Sequence, residues 1–175
     1  MLKLFNRIIT LLLLQCCFTH PASAFDWTSS NIQLLYGNDF ELGTDERTTV
    51  TVEHTHGWQF GTNFFFVDII DRNDIGAEIY AEVYSYLSMN KMTGYNWSYG
   101  PIKDISLVGG LNISNKPEND HFKAYMLGIS LDLSNSLFDY LQLDITAYKS
   151  DNLSSRYGVQ VTPVWSLPLA LGPAK

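Results

Sequence analysis

The chain has 175 residues, 46% hydrophobic and 14% aromatic, with 11 Lys and Arg against 18 Asp and Glu for a net charge of −7. That length fits one domain. The acidic balance, with no basic cluster, excludes a nucleic-acid polymer as partner, because phosphate neutralisation needs patches of Lys and Arg.

The first element is a leader. Lys3 and Arg7 form a positive start, Ile8, Ile9 and Leu11 to Leu14 a short apolar core, and Ala22-Ser23-Ala24 a small-residue cleavage site. Residues 1–24 therefore read as a cleaved secretory signal, with residues 25–175 as one mature domain beginning at Phe25. The apolar run is too short for a spanning helix. Cys16 and Cys17 raise a lipoprotein alternative, but Gln15 is bulky where such a site needs a small residue. Both cysteines leave with the leader, so no disulfide is expected. Losing Lys3 and Arg7 and no acid takes the charge from −7 to about −9.

Two-residue alternation then predicts eight strands, over residues 31–36, 47–56, 59–70, 78–89, 104–114, 123–134, 140–150 and 157–167. No helical period competes. In the sixth, Tyr125, Leu127, Ile129, Leu131 and Leu133 share one face, with Ala124, Met126, Gly128, Ser130 and Asp132 on the other. In the seventh, Leu141, Leu143, Ile145 and Ala147 oppose Gln142, Asp144, Thr146 and Tyr148. In the fourth, Ile79, Ala81, Val83, Leu87 and Met89 oppose Glu78, Tyr80, Glu82, Tyr84 and Tyr86. Glu and Tyr alternating with aliphatics do not fit a dry two-sided core, where an unpaired carboxylate costs several kcal/mol. Export together with many such strands predicts an all-β fold, a transmembrane antiparallel β-barrel in the outer membrane of a Gram-negative cell. A soluble periplasmic sandwich that binds a ligand is the alternative. The links at 38–46, 71–76, 115–121 and 151–155 are expected outside, and those at 56–58, 90–103 and 135–138 inside; the 90–103 link is long for an inner turn.

Candidate chemistry is sparse. Glu78, Tyr80, Glu82, Tyr84, Tyr86, Asp68 and Asp144 are the expected pore-lining or solute-binding residues, and Trp58, Trp97, Tyr99 and Trp165 the expected membrane-interface anchors. His54 and His56 share a strand face but lack a third ligand, so they read as interfacial residues rather than a metal site. Glu78 and Glu82 stand about 13 Å apart along a strand, too far for a glycosidase acid pair. Asp71, Asn73 and Asp74 lack the Gly and Glu of a calcium loop. With no nucleophile elbow, phosphate loop or zinc signature, neither an enzyme nor a cofactor is expected.

The run from Ile79 to Gly94, Ile-Tyr-Ala-Glu-Val-Tyr-Ser-Tyr-Leu-Ser-Met-Asn-Lys-Met-Thr-Gly, resembles the central signature of the nucleoside-specific porin family of Tsx and OmpK proteins. Tyr99-Gly100-Pro101-Ile102-Lys103 is similar to the Gly-Pro segment that follows it there, and Phe64-Phe65-Phe66-Val67-Asp68 to the aromatic-Asp strand before it. Leu127 to Asp132 and Leu143 to Tyr148 resemble two later strands. The resemblance implies a twelve-stranded outer-membrane barrel that passes nucleosides by diffusion, with aromatic rings stacking on the base and carboxylates accepting hydrogen bonds from the sugar. It also implies phage or colicin as further partners for some members.

The chain departs from that pattern in three ways. It shows about eight strands, it ends Gly172-Pro173-Ala174-Lys175 without a closing aromatic, and it carries Ser85-Tyr86 where well-known members have Pro-Arg. It therefore reads as C-terminally truncated. A non-conducting barrel serving as a structural or receptor protein, and a non-functional remnant, are the rival expectations.

Overall fold

The computed structural model describes residues 25–39, 46–72, 76–117, 121–152 and 157–168. The expected signal peptide, Asn73 and Asp74 of the calcium-like segment, and the chain end from residue 169 lie outside the described residues.

Eight strands form one sheet: β1 (Trp27–Asn38), β2 (Glu46–Trp58), β3 (Gly61–Arg72), β4 (Gly76–Ser88), β5 (Ile102–Asn115), β6 (His121–Leu133), β7 (Tyr140–Ser150) and β8 (Gly158–Ser166). Among the described residues one short helix, α1 (Met89–Thr93), sits between β4 and β5. Each strand pairs antiparallel with its neighbours in sequence, in the order β1 to β8. All eight predicted strands are present. The first begins at Trp27 rather than residue 31, because Trp27–Ser30, which shows no apolar alternation, is drawn into the ladder opposite His54–Gly57.

The 90–103 link, long for an inner turn, has structure of its own. Ser88 caps α1 by accepting from the Lys91 amide at 3.0 Å, and Gly94 ends it with φ of 70°. That positive φ is a conformation glycine adopts without the strain a Cβ would bring. A two-residue turn at Gly100-Pro101 follows, with paired backbone bonds between Tyr99 and Ile102 of 2.9 and 3.0 Å.

The sheet is inside-out relative to a water-soluble core. Among the described residues the buried set contains three apolar side chains, Val108, Ala124 and Met126, against nine polar or charged ones, including Glu78, Asn112, Ser130 and Asp144. The aliphatic rows point the other way: Ile32 is 76% exposed, Leu127 72% and Val159 78%. No second layer covers that outer face among the described residues.

The sheet is open. The sequence, read as an incomplete barrel with about eight of the twelve strands its resemblance implies, left closure open; among the described residues β1 and β8 do not pair, so the eight strands form an open sheet. One reason is local to β8. Its ladder to β7 runs through Leu143 opposite Pro163. A residue without an N–H fits an unbroken ladder only when its nitrogen faces the free edge. That edge therefore lacks a donor where a closing strand would need one. The sheet is nevertheless strongly curled, because Trp27 of β1 and Gln160, Thr162 and Val164 of β8 border the same hollow.

Candidate functional site

The curl encloses a hollow of about 900 Å³ on the inner face, within the range of small-molecule sites. Inner-row residues from most of the strands border it. Of the seven residues predicted to line a pore, Glu82, Tyr84, Tyr86 and Asp144 border this hollow. Glu78, Tyr80 and Asp68 share the inner face but lie further along the strands, outside the hollow's wall.

Asp144 is the best-held carboxylate of the group. It is 5% exposed and accepts from Ser130 Oγ and Gln142 Nε2 at 2.6 Å each on Oδ1, and from Tyr86 Oη at 2.9 Å on Oδ2. Gln142 in turn accepts from Tyr140. Ser130 faces Asp144 directly in the β6–β7 ladder, and Gln142 is two residues away on the same face of β7. Tyr86 comes from β4, and its reach depends on the curl of the sheet.

Glu82 forms a second cluster. It accepts from Tyr80 Oη and from Asn112 Nδ2, the latter at 2.9 Å. Glu78 is ion-paired with Arg72, and Asp68 accepts from Thr51 Oγ1 at 2.6 Å. The alternation of Glu and Tyr with aliphatics pointed to a watery surrounding for these carboxylates; in the structure Glu78 and Asp144 are buried, and partners supplied by the protein offset that burial.

The hollow owes its shape to small residues facing large ones. Tyr84 lies opposite Gly110 in the β4–β5 ladder, and a Cβ at Gly110 would stand 2.5 Å from the Tyr84 ring. The ring can lie flat against β5 only because that position has no side chain. Tyr84 and Tyr86 stack with ring centroids 6.4 Å apart and planes at 21°.

No family model, curated protein or solved structure matches the chain. The site is therefore read from its own residues.

Two cations border the hollow, and both are engaged elsewhere. Lys91 donates to Asp26 at 3.0 Å and to the Trp58 carbonyl at 2.9 Å. Lys103 Nζ stands 3.2 Å from Asp132 Oδ1, as an ionic contact without hydrogen-bond alignment. Asp104 accepts from Ser88 and from the amides of Asn90 (3.2 Å) and Ile105 (2.8 Å), tying α1 to β5. Sequence reasoning missed Trp27, Phe64, Asp104, Tyr140 and Gln160 as wall residues. Inner-row parity, carried from strand to strand, was the signal that would have reached most of them.

The predicted anchors gather at one end of the sheet. Trp58 closes β2, Trp97 and Tyr99 lie in the β4–β5 link, and Trp165 is near the end of β8 beside the start of β7. Trp27 pairs with Gly57 there too, so all 4 tryptophans share that end. His54 and His56 do share a face, the outer one, in a hydrogen-bonded row from Ser30 (2.7 Å to His54) through the two rings (3.2 Å) to Asn63 (2.9 Å). Among the described residues no group of three metal-ligating side chains forms.

Proposed function

We propose that this chain is an outer-membrane β-barrel channel for the passive diffusion of nucleosides or similar small polar solutes. The observation that carries the reading is the inversion of the sheet, with carboxylates, amides and hydroxyls buried inside and aliphatic rows exposed outside. Lipid is the solvent that such an outer face fits, and a polar interior is what a solute path needs. Strands of 9 to 14 residues are long enough to cross the apolar band of an outer membrane when tilted. Tryptophans at one end are suited to a headgroup interface.

Inside, stacked tyrosines beside carboxylates offer weak and multiple contacts, which let a solute leave as well as enter. The resemblance of residues 79–94 to the nucleoside-specific porins supports the choice of solute. In lipid the free edges of β1 and β8 must be satisfied, so the reading requires the sheet to close in the membrane.

Planar-bilayer recording of the purified full chain, with nucleoside uptake into proteoliposomes, tests the proposal. Stepwise conductance and uridine entry are expected. A chain that inserts, yet shows neither, sinks the channel reading. Such a result leaves the structural or phage- and colicin-receptor barrel, which the dense hydrogen bonding around Asp144 also suits.

A further inference from the structure

We infer that the inner hollow binds small organic cations, a positively charged nitrogen carried on an aromatic or alkyl body, in preference to neutral or anionic molecules of the same shape. The inference deepens the channel reading by naming the charge class of the solute, and rests on that reading for the route but on the hollow alone for binding.

Four carboxylates stand at the wall. Asp132 is paired with Lys103, whereas Glu82, Asp104 and Asp144 are hydrogen-bonded only to neutral donors among the described residues. No Lys, Arg or His of the described residues pairs with any of these three. The two ammonium groups that could neutralise the space are held by Asp26 and the Trp58 carbonyl in one case and by Asp132 in the other. With both ammonium groups paired, the balance of charged side chains at the wall is acidic.

Charge alone would favour any cation. The rings select an organic one. Trp27, Phe64, Tyr84, Tyr86 and Tyr140 border the same space, and the Tyr84 and Tyr86 rings are nearly parallel. Aromatic faces attract a poorly hydrated cation such as an alkylammonium and add apolar contact for its body. A bare metal ion would need convergent oxygen ligands, whereas these carboxylates are each turned to their own donors. At about 900 Å³ the hollow takes a molecule of drug-like size rather than a single ion. An anionic solute would face unpaired carboxylates, and a neutral one would gain only the ring contacts.

The test uses three probes of nearly one shape and different charge: benzylammonium, benzyl alcohol and benzoate. Their binding to the full chain in detergent is measured by titration calorimetry and saturation-transfer NMR. The cation is expected to bind about tenfold tighter than the alcohol, with benzoate weakest. The double variant Glu82→Gln/Asp144→Asn is expected to lose most of that preference, read as the ratio of cation to alcohol affinity within the same variant. Equal affinity for cation and alcohol in the unaltered protein overturns the inference, and needs no variant to fold.

Reversal potentials in a KCl gradient separate this inference from the channel reading. Cation binding without conductance defeats the channel and keeps the site. Conductance with no preference for K⁺ over Cl⁻, and no preference among the probes, defeats the site and keeps the channel.

Discussion

Replacing Asp144 measures how far the inner face is held together by its own hydrogen bonds. In Asp144→Ala the donors of Tyr86, Ser130 and Gln142 lose their acceptor together. Hydrogen bonds to a charged group contribute about 1.5–3 kcal/mol each, so the gross loss is roughly 5–9 kcal/mol. Two effects offset it. Removing the carboxylate relieves the cost of burying a charge, and the adjoining hollow lets water reach some of the stranded donors. A net destabilisation of about 3–5 kcal/mol is expected.

Asp144→Asn behaves differently. Its carbonyl oxygen can keep both Ser130 and Gln142, and its amide faces the Tyr86 hydroxyl, which rotates to accept. The loss is then charge assistance, about 1–2 kcal/mol. The assay is denaturant unfolding of the full chain in lysolipid micelles, followed by emission of its 4 tryptophans. The gap between the two variants is the diagnostic quantity. If Asn costs as much as Ala, or Ala costs under about 1 kcal/mol, the three bonds are not what holds this region.

Three further predictions address other parts of the sheet. Arg72→Met strands the buried Glu78 and is expected to cost about 3–5 kcal/mol, whereas Arg72→Met combined with Glu78→Met is expected to be close to neutral; a double-mutant cycle in the same unfolding assay decides it. Gly110→Val places a Cβ 2.5 Å from the Tyr84 ring and 3.1 Å from Met126 Cε, so overpacking of about 1–3 kcal/mol is expected, with the ring pushed into the hollow and conductance lowered in bilayer recordings. Leu127→Arg tests which solvent the outer face meets: about 2–4 kcal/mol is lost near the midplane of lipid, against under about 0.5 kcal/mol at a water-exposed position, as read from refolding into vesicles.

The strands and their faces were legible because a period of two is carried by every residue, and a slip of one would turn each aliphatic row inward. Leu127 and Ile129 out, Ser130 and Gly128 in, can be read from the sequence with no partner strand specified. The convergence at Asp144 could not be read. Ser130 and Asp144 are ladder partners, but Tyr86 lies 58 residues away in sequence and three strands across. Its contact depends on the curl of the whole sheet. The helix was missed because five residues carry no periodicity; its marks were the Ser88 cap and Gly94, which a strand-based reading passes over. Closure was not legible, because alternation describes a strand's two faces and not its edges. Pro163 suits β8 as an edge strand.

The inner wall is uneven. On β4 the inner row carries Tyr84 and Tyr86, while the β5 and β6 rows beside it carry Ser106, Gly110, Gly128 and Ser130. Large side chains on one arc lean over small ones on the next, as Tyr84 does over Gly110. An eight-stranded barrel with an even inner wall fills its own interior with side chains. Here Tyr84 lies over Gly110, while Glu82, Asp104 and Asp144 beside the hollow are held by hydroxyl, amide and backbone donors and Asp132 is paired with Lys103. Neutral donors fix a carboxylate's position without bringing a counter-charge to it. That difference between Asp132 and the other three is what the charged and neutral probes are chosen to read.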